Sequence, residues 1–174
     1  MGFWAALEEI FHSARQQHCW MHKTGNILNY LPKRTQPKAR KMLHDIWQAE
    51  TREEAHLGFD LFIATFEAKY PKAVERLIKD RGELLTFYDF PALHGQSIRA
   101  RNPTESASAI IRYRTKLAKG RLSRQGLLHM MFKLGQSAEK SWRKLRDFAH
   151  LADVIQGVDF VNRIKHSTRD LAAA

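Results

Sequence analysis

Acidic residues are nearly missing from one stretch of this 174-residue sequence. Between positions 90 and 146 only Glu105 and Glu139 occur, against 13 Lys and Arg. Residues 1–89 hold 13 basic and 12 acidic side chains, and residues 147–174 hold three and four, so the formal charge of +11 resides in that middle stretch. Such a concentration favours a polyanionic partner, nucleic acid being the commonest, with a solvated basic face as the plain alternative. A single cysteine excludes an internal disulfide and suits a reducing cytoplasm. No apolar run approaches the about 18 residues of a membrane-spanning helix. The start, Met1 to Phe11, is apolar but bears Glu8 and Glu9 and no basic segment, which argues against a signal peptide. There is no internal repeat, low-complexity tract or Gly/Ser linker. What is present, 44% hydrophobic and 10% aromatic residues, excludes a disordered chain and suits one domain burying roughly 70% of its unfolded surface.

The periodicity is mainly helical. Gly2 to Phe11 reads as a short helix with Phe3, Ala6, Leu7, Ile10 and Phe11 on one face. Arg15 to Trp20 reads as a short strand. Thr35 is placed to cap a helix carrying Pro37 in its first turn, with Ala39, Met42, Leu43, Ile46 and Trp47 as its apolar stripe. Thr51-Arg-Glu-Glu54 is a capping box opening a second helix, with Ala55, Phe59, Phe62, Ile63 and Phe66 inward. Pro71 starts a third, lined by Val74, Leu77, Ile78, Leu84, Leu85 and Tyr88. The three read as an antiparallel bundle whose aromatics are its core. Asp89 to Gly95 reads as a loop. Asn102-Pro103 begins a helix to about Leu117, and another follows Ser123 with Leu127, Leu128, Met131, Leu134, Ala138, Trp142 and Leu145 buried. The tail from Asp147 reads as a weaker helix fraying by Ala172.

Few residues carry chemistry. Glu105 follows Asn102 and Pro103 at a spacing that completes a helix cap, a stabilisation of about 1 kcal/mol. The same carboxylate among cations suits a divalent ion beside a phosphodiester. Spacing alone serves either. Arg112 stands two helical turns after Glu105, and Arg99, Arg101, Arg114, Lys116, Lys119, Arg121 and Arg124 surround it in sequence, a density suited to phosphate contacts. Cys19 and His22 stand three apart, but a zinc site needs four ligands and there is no second cysteine; a small buried thiol beside a structural histidine is the plainer reading.

Gly2-Phe-Trp-Ala-Ala-Leu-Glu-Glu9, Arg15 to Lys23, Leu43 to Glu50, Leu84 to Pro91, Asn102-Pro-Thr-Glu-Ser106 and Met131 to Trp142 fall in one order. Together they resemble the mutator-type transposases of bacterial insertion sequences, over nearly the whole chain. The resemblance implies a mainly α chain, the C-terminal part of an RNase-H-like transposase domain with an all-helical insertion and at most one or two short strands. Residues 1–31 would be a remnant of the RNase-H-like core, 32–95 the insertion, and 96–174 the catalytic-glutamate helix, basic region and C-terminal helices. Glu105 matches the third acid of an Asp-Asp-Glu triad that uses Mg²⁺ or Mn²⁺, and Cys19 and His22 match the family's Cys-x-x-His signature. Arg112 and Arg114 match an Arg-x-Arg-Thr string close to bound DNA.

The sequence also departs from the family pattern. Neither triad aspartate has a counterpart here; the position expected for the second lies just before Gly2. One carboxylate cannot hold two ions, so tight metal binding and activity are not expected of this chain alone. Gly95 stands where a tryptophan is expected and Ser108 where a phenylalanine is, losses worth roughly 2–5 kcal/mol each if those sites are buried. The expected partners are insertion-sequence ends and target DNA, and a second copy or an intact transposase, in a cytoplasmic, nucleoid-associated setting without membrane. The competing reading is a helical DNA-binding or regulatory protein derived from a transposase.

Overall fold

A computed structural model describes residues 9–12, 14–99, 103–119, 122–140 and 146–166, with only the backbone of residues 96, 103–108 and 110. The architecture is mainly helical: α1 (Trp20–Leu28), α2 (Gln36–Gln48), α3 (Arg52–Phe66), α4 (Pro71–Ile78), α5 (Arg81–Leu85), α6 (Ala92–Arg99), α7 (Pro103–Leu117), α8 (Arg124–Glu139) and α9 (Leu151–Ile155), then β1 (Phe160–Val161) and β2 (Ile164–Lys165). Most of the helix expected from Gly2 lies outside the described residues.

The core is built from α1 to α5 and the 3-10 turn Thr86–Asp89, and it runs without interruption from Trp20 to Tyr88. Trp20, Ile27, Phe59, Phe62, Leu77, Leu84, Phe87 and Tyr88 are fully buried; each large apolar side chain so removed from water contributes about 1.5–3 kcal/mol. The Thr51 capping box forms as expected, Thr51 Oγ1 accepting from the Glu54 amide at 3.2 Å while Glu54 accepts from the Thr51 amide. Thr35 makes no side-chain cap. Gln36 instead donates to the Leu28 and Leu31 carbonyls at the end of α1. Helices α2 and α3 approach closely at Gly58, where an added Cβ would stand 2.8 Å from Ile46 Cγ1.

Four expectations are corrected. Residues 14–19 form no strand; one backbone bond, from the His18 amide to the Glu83 carbonyl, is joined by side chains, Gln17 bridging the Leu84 carbonyl and the Phe87 amide while Thr86 donates to the Gln16 carbonyl. The single helix expected from Pro71 to Tyr88 breaks between α4 and α5, where Asp80 turns its carboxylate to Lys23, and Ile78 is 43% exposed. Asp89 to Gly95 is not all loop, because Pro91 precedes α6 and its carbonyl accepts from His94 and Gly95. The tail is not one weak helix: after α9 the chain makes an antiparallel hairpin pairing Phe160 with Lys165 and Val161 with Ile164.

The hairpin turn at Asn162 and Arg163 has positive φ at both residues, 49° and 70°, the conformation that matches strand twist in two-residue turns. It docks on the bundle. Asn162 Oδ1 accepts from the Arg52 amide at 2.8 Å, satisfying an otherwise unpaired donor at the start of α3, and Arg163 donates to the Ala49 and Glu50 carbonyls. Arg163 also fills the surroundings of Gly95: a Cβ there would stand 3.8 Å from Phe87 Cδ2 and 4.0 Å from Arg163 Cδ. Position 95 is thus packed rather than hollow. The side chain of Ser108 lies outside the described residues.

Helices α7 and α8 pack on one another. Ser123 caps α8, accepting from the Gly126 amide at 3.1 Å. Ala138 is buried and Leu127 and Leu134 are half-buried, whereas Leu128 and Met131, expected inside, are exposed. Trp142 and Leu145 lie outside the described residues. No helix among the described residues is long and apolar enough to cross a membrane.

Candidate nucleic-acid interface on the Glu105 helix

Glu105 lies in the first turn of α7, after Pro103. Pro103 suits the first turn of a helix because its missing N–H has no partner there in any case. Arg112 follows seven residues later, about 10 Å along the axis. Arg112, Arg114, Lys116 and Lys119 are all exposed, and Arg124 is exposed at the start of α8. None of these five makes an ion pair among the described residues. Lys119 adopts φ 46°, ending the helix in a left-handed turn. Arg101 and Arg121 lie outside the described residues.

Arg99 is placed differently. Its guanidinium lies over Trp47 at 5.1 Å and Phe87 at 5.4 Å and donates to the Trp47 carbonyl at 2.8 Å. Burial, and then the nearby Arg163 charge, weigh against its charged form. Arg99 thus ties the end of α6 to the end of α2, unlike the exposed Arg112, Arg114, Lys116, Lys119 and Arg124.

Cys19 and His22 sit at the start of α1, Cys19 as the half-buried extended residue before the helix and His22 exposed in its first turn. What fixes this segment is Trp20 between them, fully buried with its indole N–H donating to the Leu84 carbonyl at 2.8 Å. Beside it, Lys23 and His18 both meet the Asp80 carboxylate. Among the described residues no three His, Cys, Asp or Glu side chains converge as a metal site would require.

Sequence reasoning missed two features. Lys23 is 8% exposed; a lone Lys between polar residues gives no signal of burial without its distant partner. The other is a second exposed basic face on α2 and the turn before it, hidden because the 12 acids spread over residues 1–89, of which α2 carries only Asp45, cancel it in the charge of that stretch. A count in shorter windows finds it.

The family described as "Transposase, Mutator family" matches residues 1–144. The chain is 48% identical to the transposase for insertion sequence element IST2 of Acidithiobacillus ferrooxidans, over 94% of this chain and 55% of that protein. It is 40% identical to the transposase for insertion sequence element IS6120 of Mycolicibacterium smegmatis, over 90% of this chain and 48% of that one. The chain spans about half the length of the curated relatives it matches. A match over four fifths of the sequence, taking in both the buried bundle and the cation-bearing helix of Glu105, leaves one assignment: this chain belongs to the mutator family of transposases.

Proposed function

We propose that the chain supplies the third-acid portion of a transposase that cleaves and joins DNA at the ends of an insertion sequence. Glu105 is the carboxylate it contributes to an Asp-Asp-Glu triad, and the exposed cations of α7 and the start of α8 hold the DNA backbone. The observation that carries this reading is the set of cations Arg112, Arg114 and Lys116 on the helix of Glu105 and Lys119 in the turn that ends it, exposed and without an ion pair among the described residues. Guanidinium and ammonium groups so placed bind phosphates and carry no base information. The names of the relatives support a transposase rather than a separate regulatory protein.

The described residues do not by themselves fit a divalent-ion centre, since no three ligand side chains converge. In this reading Mg²⁺ or Mn²⁺ would be held by Glu105 together with the two aspartates of the triad, which would come from an RNase-H-like core and have no counterpart among these 174 residues. What the chain's own residues do is bind and orient the phosphodiester backbone. Exposed Tyr113, Leu117, Leu128, Met131 and Phe132 on α7 and α8 support pairing with a second polypeptide that provides that core.

Two outcomes test this. The purified 174-residue chain is expected to show no Mg²⁺-dependent cleavage or strand transfer on insertion-end DNA; activity that disappears in Glu105→Gln would show that the chain needs no outside acids. Reversing charge at Arg112 and Arg114 is expected to weaken duplex binding on the order of tenfold, alike for all sequences, and to flatten its salt dependence by about two. Unchanged affinity in R112E/R114E would remove α7 from the interface.

A further inference from the structure

We infer that the helical bundle carries a second DNA-backbone surface, on the outer face of α2, distinct from the cations of the Glu105 helix. This rests on the transposase reading and extends its footprint. From Ile10 to His44 the sequence contains no acid, and Lys33, Arg34, Lys38, Arg40 and Lys41 crowd nine consecutive positions. All five are exposed, as is His44. None makes an ion pair among the described residues, in contrast to Lys23, Arg15, Arg52 and Arg81, which all meet a carboxylate. The bundle's paired cations are those that hold it together; of the exposed ones without an ion pair among the described residues, the densest run is these five on α2 and the turn before it, and Lys69, Lys72, Arg76 and Lys79 are spread around α4.

The geometry fits a phosphate row. Pro37, Arg40, Lys41 and His44 recur at helical spacing along α2 and, with Gln36 and with Lys33 of the preceding turn, line a shallow groove. Ala39, Leu43 and Ile46 occupy the opposite, buried stripe, so the cations cannot turn inward. The helix is held rigidly behind them by its close approach to α3 at Gly58. At its far end the Trp47 carbonyl takes the Arg99 guanidinium, four residues before Pro103 opens the Glu105 helix. The α2 face is therefore anchored to the chain segment that leads directly into the first proposed interface. Two cation rows on neighbouring segments suit the continuous charge of a duplex better than an isolated acidic peptide, which one row would satisfy.

The test uses the whole chain and a 20-base-pair duplex of arbitrary sequence, with binding measured by fluorescence anisotropy at several salt concentrations. Neutralising the face in K38Q/R40Q/K41Q is expected to flatten the slope of log affinity against log salt by about two to three. The control K69Q/K72Q/K79Q removes the same net charge from exposed lysines around α4 and is expected to change the slope by less than one. Far-UV circular dichroism of both variants should match the parent, since every replaced residue is exposed. Equal losses in the two variants would reduce the effect to net charge and overturn the inference. A slope that is unchanged in the α2 variant yet flattened in R112Q/R114Q would also overturn it, leaving the Glu105-helix interface standing and α2 free for an acidic protein. Absence of salt-dependent DNA binding in the parent chain would instead sink the transposase reading of the basic residues.

Discussion

Trp20→Ala is expected to destabilise the bundle by roughly 3–5 kcal/mol, a large share of the 5–15 kcal/mol typical of a domain. The indole has no exposed surface and lies 6.0 Å from the Phe59 ring, between α1 and the buried stripe of α3. Its N–H also donates to the Leu84 carbonyl at 2.8 Å, so truncation leaves a cavity and leaves that carbonyl with the longer Gln17 bond of 3.2 Å alone. Trp20→Phe keeps most of the volume and loses the hydrogen bond, so about 1–3 kcal/mol is expected. The adjacent Met21 is 60% exposed, and Met21→Ala should stay within about 0.5 kcal/mol. Urea unfolding of the three variants by far-UV circular dichroism checks the order. If Trp20→Ala cost under 1 kcal/mol, the start of α1 would not be anchored through the indole, and the placement of Cys19 and His22 would need another cause.

The same residue shows where sequence reading succeeds and where it stops. Helices α2 and α3 announce themselves through local chemistry: Pro37 in a first turn, a capping box at Thr51, and apolar residues at helical spacing. All of that information lies within a few residues of where it acts. The segment Arg15 to Trp20 reads as a short strand, but its distant backbone partners are the Thr86 hydroxyl, which donates to the Gln16 carbonyl, and the Glu83 carbonyl, which accepts from the His18 amide, some 65 to 70 residues away in sequence. The hairpin at Asn162 and Arg163 is missed for a related reason. Its two strands are two residues each, too short for alternation to register, and its stability comes from Arg52, Ala49 and Glu50 on a distant part of the chain. At the candidate interface, Arg112 and Arg114 are exposed and without an ion pair among the described residues, as the scarcity of acids around them suggests, whereas Arg99 is indistinguishable from them in sequence. Only the rings of Trp47 and Phe87 make it a packing residue. Charge averaged over 89 residues likewise hides the α2 face, because acids elsewhere in that stretch cancel it arithmetically, α2 itself carrying only one, Asp45, near its end.

Lys23→Met is expected to cost about 2 kcal/mol at pH 7 and much less near pH 3. Lys23 is nearly buried and its ammonium meets the Asp80 carboxylate, which also faces His18 at 3.1 Å. Burial works to raise the Asp80 pKa, but the hydrogen bonds and charges of Lys23 and then His18 prevail and hold it below its ordinary 3.8. A carboxyl depressed in the folded state stabilises the fold above its unfolded pKa, and that stabilisation is lost as pH falls through the lower, folded value. Parent stability therefore declines in the acid range below about 4. Methionine keeps the apolar stem and removes the ammonium, so the half-buried carboxylate loses its main partner at neutral pH. Burial then favours the protonated form, and acid relieves the variant where it weakens the parent. The gap between them should shrink steadily from pH 7 to pH 3 in urea titrations. Lys23→Met combined with Asp80→Asn, which leaves no charge to compensate, should recover much of the loss at pH 7. A gap that stayed constant with pH would assign the cost to the packing of the lysine stem, and the break between α4 and α5 would then owe nothing to this ion pair.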